Sequence, residues 1–214
     1  MANFDIAYKT YILPNEGGYA NVAADKGGET YAGIARNYNQ AWQGWTFIDF
    51  EKRKLSGKPI KLNSKFPSID YLVTDFYLNR WNSIRLTEIV NQEIANLLYD
   101  FHVHSQTTAI KFIQRIVGVP ADGKMGTTTI ATINKGNAAK IHDALLSERK
   151  NLLESLIAKN PSQEVFREGW MARLAKFPTL LSPTTGGAAL GLLAAGAIVL
   201  YVISRSEDFK KLAT

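Results

Sequence analysis

Apolar residues recur at helical spacing from the start of the chain. Phe4, Ala7, Tyr8, Tyr11 and Ile12 share one helix face, and Pro14 with Gly17 and Gly18 ends the run. From Tyr19 to Ile34 the residues are Gly, Asn, Asp, Thr and Tyr with scattered apolars, which predicts a short hairpin or loop. Ile69, Leu72, Val73, Phe76, Tyr77 and Trp81 form a second stripe just after Pro67. Further helices are predicted over about 91–103 and 107–117, followed by a loop from Gly118 to Gly126 punctuated by Pro120 and Gly123. Asn137 is placed to cap a long helix reaching about Lys159, and Pro161 and Ser162 open a last one carrying Phe166, Trp170 and Leu174. Lys52, Arg53, Lys54, Lys58, Lys61 and Lys65 read as a basic loop.

The pattern changes at the C-terminal end. Pro178 to Ser204 contains no charged residue, and Gly186 to Ile203 is an unbroken stretch of small and apolar residues. As a helix it would span roughly 27 Å, close to the hydrocarbon thickness of a bilayer. The expectation is one C-terminal transmembrane helix, with membrane contact over residues 183–204; a buried core helix or hydrophobic hairpin is the alternative. Gly187, Gly191 and Ala195 recur every four residues, a small-residue stripe that suits a homodimer contact. No cleavable signal peptide is read in Met1 to Tyr19, so the expected localisation is a single-pass membrane anchor.

Composition narrows the chemistry. The chain has 214 residues and no cysteine, which excludes disulfide scaffolds, thiolate metal sites and cysteine nucleophiles. The net charge of +6 favours an anionic partner. The basic positions are scattered and form no dense run, so nucleic acid is not expected. His102 and His104 lie two apart and diverge on a helix, and no phosphate-binding glycine loop is present, so neither a metal nor a cofactor is expected. Trp42, Trp45, Phe47 and Phe50 either line a sugar groove or cover the core as loop aromatics. Catalysis then falls to carboxylates. Glu16 stands where the first helix gives way to Gly17-Gly18-Tyr19, with Asp25 and Thr30 behind it. A carboxyl desolvated at a helix end stays protonated and serves as an acid, whereas one on a polar loop stays ionised and activates water. Glycosidic cleavage needs that division of roles, and Gly27 and Gly28 would let backbone approach a bulky ligand.

Glu16-Gly17-Gly18-Tyr19, Asn21, Asp25, Gly27-Gly28, Thr30, Gly33 and Ile34 together resemble the signature of glycoside hydrolase family 108, peptidoglycan-cleaving N-acetylmuramidases. Tyr77 to Trp81 resembles that family's Tyr-rich helix ending in Trp. The resemblance implies a mostly α, lysozyme-like fold with Glu16 as the catalytic residue; the Glu16, Asp25, Thr30 order is also similar to that of phage-type lysozymes, which adds Asp25 and Thr30 as catalytic candidates, with Tyr19, Asn21, Gly28 and Tyr31 as candidate substrate-binding residues. Ala109, Gln114, Gly118-Val119, Asp122-Gly123, Gly126 and Thr129, with Gly169-Trp170 and Arg173, resemble the predicted peptidoglycan-binding domain that follows in that family. Pro14, Lys26, His104 and Gln106 depart from the usual pattern; near the last two the family shows an Asn and a Gly.

The implied organisation is a catalytic segment over 1–90, a helical peptidoglycan-binding segment over 91–177, the membrane helix over 178–204 and a charged tail over 205–214. The implied activity is cleavage of the β-1,4 bond between N-acetylmuramic acid and N-acetylglucosamine in the periplasm or at the cell wall. Two rivals stand beside it: a lytic transglycosylase using Glu16 alone, and a non-catalytic membrane-anchored peptidoglycan-binding protein.

Overall fold

The computed structural model describes residues 1–22 and 27–181. Helix α1 covers Phe4–Ala7, opened by Asn3, whose side chain accepts the Ile6 N–H at 3.3 Å. The rod widens into a π turn over Tyr8–Ile12 and tightens into a 3₁₀ turn over Leu13–Asn15. Pro14 fits that last turn, where its missing N–H leaves no hydrogen bond unmade. The chain leaves the helix at Glu16, whose backbone is extended.

Three short antiparallel strands follow in the order β1 (Tyr19–Ala20), β2 (Thr30–Tyr31), β3 (Ile34–Ala35). Tyr19 lies opposite Tyr31, and Thr30 opposite Ala35. Ala32 and Gly33 join β2 to β3 with φ of 46° and 73°, the turn geometry that matches strand twist in two-residue hairpins. The single expected hairpin is thus a three-stranded sheet.

Helix α2 (Gly44–Lys54) is an element the sequence pattern did not predict, and its last turn takes in Lys52, Arg53 and Lys54 of the stretch read as a basic loop. Only Gly44, Trp45 and Ile48 are buried on it, too narrow an apolar face to register as periodicity. Ion pairs hold it instead: Glu29 is clasped by Arg36 and Lys52, and Arg36 also pairs with Asp49 at 2.8 Å while lying over the Trp45 ring.

The remaining helices are α3 (Asp70–Ser83), α4 (Gln92–Ser105), α5 (Thr107–Ile116), α6 (Thr127–Lys135), α7 (Ala138–Lys159) and α8 (Arg167–Leu174). Asn91 and Asn137 cap α4 and α7, each accepting a backbone N–H at 3.0 Å. Every residue of α4 from Ile94 to Val103 is buried, so α4 is the axis of the fold. One hydrophobic cluster runs from Ala2 to Phe177 and takes residues from both halves of the chain. The loop before α6 closes on Gln114, whose amide donates to Asp122 Oδ1 at 2.7 Å and to the Lys124 carbonyl at 2.9 Å.

One charged residue sits on the buried axis. Asp100 accepts from Arg173 Nε at 3.0 Å and Nη2 at 2.6 Å, and pairs with Arg149 Nη1 at 2.7 Å. Burial pushes its carboxyl up, but the two guanidinium groups outweigh this and hold it well below the usual carboxylate range.

The C-terminal expectation is corrected. No helix among the described residues is long and apolar enough to cross a membrane. Residues 178–181, where the expected span starts, are non-helical and tied to the body: Leu180 and Leu181 donate their N–H groups to the Asp143 carboxylate at 2.9 Å each, and just before them Phe177 stacks on Tyr11 with ring centroids 4.4 Å apart. The rest of it, with Gly187, Gly191 and Ala195, lies outside the described residues. The transmembrane part of the fold, the anchor-based localisation and the homodimer contact are therefore given up.

Replacing Asp100 by Asn leaves two buried guanidinium groups without a counter-charge. The variant is expected to lose about 3–5 kcal/mol of stability, read from urea unfolding at neutral pH.

Candidate active site

Glu16 is placed by the abrupt end of the first helix. The 3₁₀ turn brings its N–H to the Leu13 carbonyl at 3.3 Å, and the extended backbone then turns its side chain inward. The residue is buried, and neither carboxyl oxygen has a hydrogen-bond partner among the described residues. Gly33 lies directly against it: a Cβ there would overlap Glu16 Oε2 and stand 2.7 Å from the Tyr77 hydroxyl. That hydroxyl donates to the Ala32 carbonyl at 3.0 Å.

Gly33 and Tyr77 also line a cavity of about 180 Å³. Its other walls include Tyr38, Asn39, Phe76, Arg80, His104 and Gln106. The Arg80 guanidinium lies 4.7 Å from the Phe76 ring centroid, giving one wall a flat apolar face with a fixed positive charge. His104 Nδ1 lies 2.7 Å from the Asp100 carbonyl. A carbonyl only accepts, so Nδ1 carries the proton and Nε2 remains an acceptor. Burial, reinforced by Arg173, pushes the His104 pKa down to about 3, so the ring is neutral at working pH.

Burial also dominates at Glu16, raising its pKa to about 7 against the opposing pull of Arg173, Tyr77 and Arg80. A carboxyl that is protonated near neutrality and lies one residue behind a cavity wall, against Gly33, is a candidate proton donor to something bound there.

The other expected residues fall in different places. Thr30 is buried in β2 and its hydroxyl donates to the Gly28 carbonyl at 3.3 Å. Gly28 has φ 68°, and a Cβ on it would crowd the Asn37 side chain. Tyr19 is buried with its hydroxyl toward Glu29 and Asn21; burial and the Glu29 charge raise its pKa. Asn21 is exposed. Tyr31 is buried between Trp42 and Phe66, and its hydroxyl accepts the Phe66 N–H at 2.8 Å. Asp25 lies outside the described residues. The structure therefore joins Glu16 to Gly33 and Tyr77, and these two to Arg80 and His104 around the cavity; sequence reasoning named none of these four as site residues. Gly33 and Tyr77 had already stood out in the motif and the helix stripe, so their signal was present. Glu29, a second buried carboxylate beside Thr30, was passed over, and its two cations account for it structurally.

Residues 9–105 match a family model described as Glycosyl hydrolase 108, and residues 108–175 match one described as Predicted Peptidoglycan domain. No curated protein matches the chain. Among solved structures, SagA of Brucella abortus is similar, at 26% identity and a TM-score of 0.57, covering 78% of this chain and 86% of that one. Glu16, Gly33, Tyr77, Arg80 and His104 fall in the first matched segment, and Arg149 and Arg173 in the second.

Two outcomes follow from this geometry. Because the folded pKa of Glu16 lies above its unfolded value, its contribution to stability is intact below about 4.5 and is lost as pH rises through about 7. Glu16→Gln, which cannot ionise, is expected to exceed the wild type by about 3 kcal/mol at pH 8 and by little near pH 4.5, measured by urea titration at both values. Gly33→Ala both strains the φ 73° turn and displaces the carboxyl. Its kcat is expected to fall about 100-fold with the melting temperature moving only a few degrees.

Proposed function

We propose, because this chain belongs to the glycosyl hydrolase 108 family and carries a predicted peptidoglycan domain behind that segment, that it cleaves the β-1,4 bond following N-acetylmuramic acid with Glu16 as general acid. The chain is a glycoside hydrolase and its substrate is peptidoglycan; the bond and the residue are the proposal. The observation that carries it is the buried Glu16 carboxyl, its pKa raised to about 7, packed against Gly33, which with Tyr77 lines the cavity.

Cleavage starts with transfer of the Glu16 proton to the glycosidic oxygen as its bond to the anomeric carbon breaks. Positive charge develops on the sugar ring, and the leaving chain departs as an alcohol. Asp25 is proposed as the base or nucleophile on the opposite face, with the Thr30 hydroxyl helping to orient water. Asn21 and Gly28 are proposed to meet the glycan, with Tyr19 and Tyr31 supporting the sheet beneath them. The Phe76 face and the acceptor edge of His104 suit a pyranose ring and its N–H or O–H donors.

Digestion of purified sacculi followed by mass spectrometry tests the assignment. The wild-type chain is expected to release soluble muropeptides with reducing ends, and Glu16→Gln to lose at least about 100-fold of that release. Products ending only in anhydro sugars would instead assign Glu16 to a transglycosylase, and full activity in Glu16→Gln would remove it from the chemistry.

A further inference from the structure

We propose that Arg173, from the segment matching the predicted peptidoglycan domain, is a positioning residue of the active site, its guanidinium fixed where it stabilises the carboxylate left on Glu16 after proton donation. The inference rests on Glu16 being the acid.

Three observations place Arg173 there. The end of α8 is fastened to the turn that carries Glu16: Lys176 Nζ donates to Asn15 Oδ1 at 2.5 Å, and Phe177 stacks on Tyr11. Asn15 is the residue before Glu16. The Arg173 side chain is itself largely buried, and its donors are aimed by Asp100 at 2.6 Å and 3.0 Å. Finally, the charges do not balance. Asp100 supplies one negative charge to two buried guanidinium groups, Arg149 and Arg173, and the neighbouring His102 and His104 are held neutral by burial. One positive charge is left over beside a carboxyl that has no hydrogen-bond partner among the described residues.

Among the described residues, the charged and titratable groups that act on or respond to Glu16 are Arg173 on α8, Tyr77 and Arg80 on α3, Asp100 and Tyr99 on α4, and Tyr8 in the π turn. Of these, Arg173 exerts the largest pull on the carboxyl, against its burial. When the proton moves from Glu16 to the glycosidic oxygen, a negative charge appears in a dry site. A fixed guanidinium lowers the free energy of that state without reorganising during the step. The second matched segment thereby completes the catalytic site, in addition to any hold it has on the wall polymer.

The test compares pH–rate profiles of the full chain on sacculi for the wild type, Arg173→Gln, Arg173→Lys and Glu16→Gln. Arg173→Gln is expected to lower kcat about tenfold with KM nearly unchanged and to move the alkaline limb up by about one pH unit. Arg173→Lys, which keeps the charge, is expected to return the limb close to its wild-type position. If the amide variant does not fold by circular dichroism, Arg173→Met, of similar volume and no charge, takes its place. A folded uncharged variant whose alkaline limb stays where it was, or a lysine variant that shifts it as far as the uncharged one, overturns the inference. Retained activity in Glu16→Gln instead defeats the assignment of the acid, whatever the Arg173 variants do.

Discussion

Asp100 is fully buried on the central helix, and its two oxygens are claimed by Arg149 from α7 and Arg173 from α8. A carboxylate in that position is tolerated only because both guanidinium groups reach it, and neither of them could be buried without it. The triad therefore constrains three helices at once. With α4 as the axis, it fixes how far α7 and α8 can move relative to the sheet and to the turn at Glu16. Hydrophobic packing supplies most of the driving force along this interface, but it is non-directional. The ion triad gives it one register.

That register sets the poise of the acid. Glu16 and Glu29 are buried to the same degree, each 7% exposed, yet their chemistry differs because of what surrounds them. Glu29 is clasped by Lys52 and by Arg36 at 2.9 Å, so its charge is spent holding α2 to the sheet. Glu16 has no such clasp. Burial lifts its pKa, and the more distant Arg173 and Arg80 hold it back, so the balance settles at about 7. Direct pairing would have made Glu16 a permanent anion like Asp100. Burial with no cation nearby would have made it too weak an acid to let its proton go.

The sequence carried the local part of this. The helix ended by Pro14 and the glycine pair, the cap at Asn137 and the carboxyl at the helix end are short-range features with short-range signals, and each is found in the structure. Helix α2 was hidden because its inward face is so short and its other anchors are ion pairs, which hydrophobic periodicity does not report. The Asp100–Arg173 pair joins residues 73 apart, and no periodicity reports such a contact. Gly33 was visible as a motif glycine, but nothing in the sequence said that its missing Cβ makes room for the carboxyl itself. Hydropathy, which averages over residues, likewise does not report that Leu180 and Leu181 are placed by backbone hydrogen bonds to Asp143.

The corner between α4 and α5 shows what the site requires of the backbone. Gln106 adopts φ 40° and ψ −120°, a region that glycine enters freely and other residues enter at a cost of about 1–3 kcal/mol. Its side chain is exposed at the cavity rim, so burial does not repay that cost. What the corner does provide is position. The Gln106 N–H closes on the His102 carbonyl at 2.8 Å, which ends α4 sharply and holds His104 with its proton on Asp100 and its acceptor edge available. The same corner starts α5, where Thr108 and Ala109 are buried at once in the core. Strain tolerated at a rim position is the mark of a geometry determined from both sides. Here the two sides are the helix that carries Asp100 and the segment that carries its arginines.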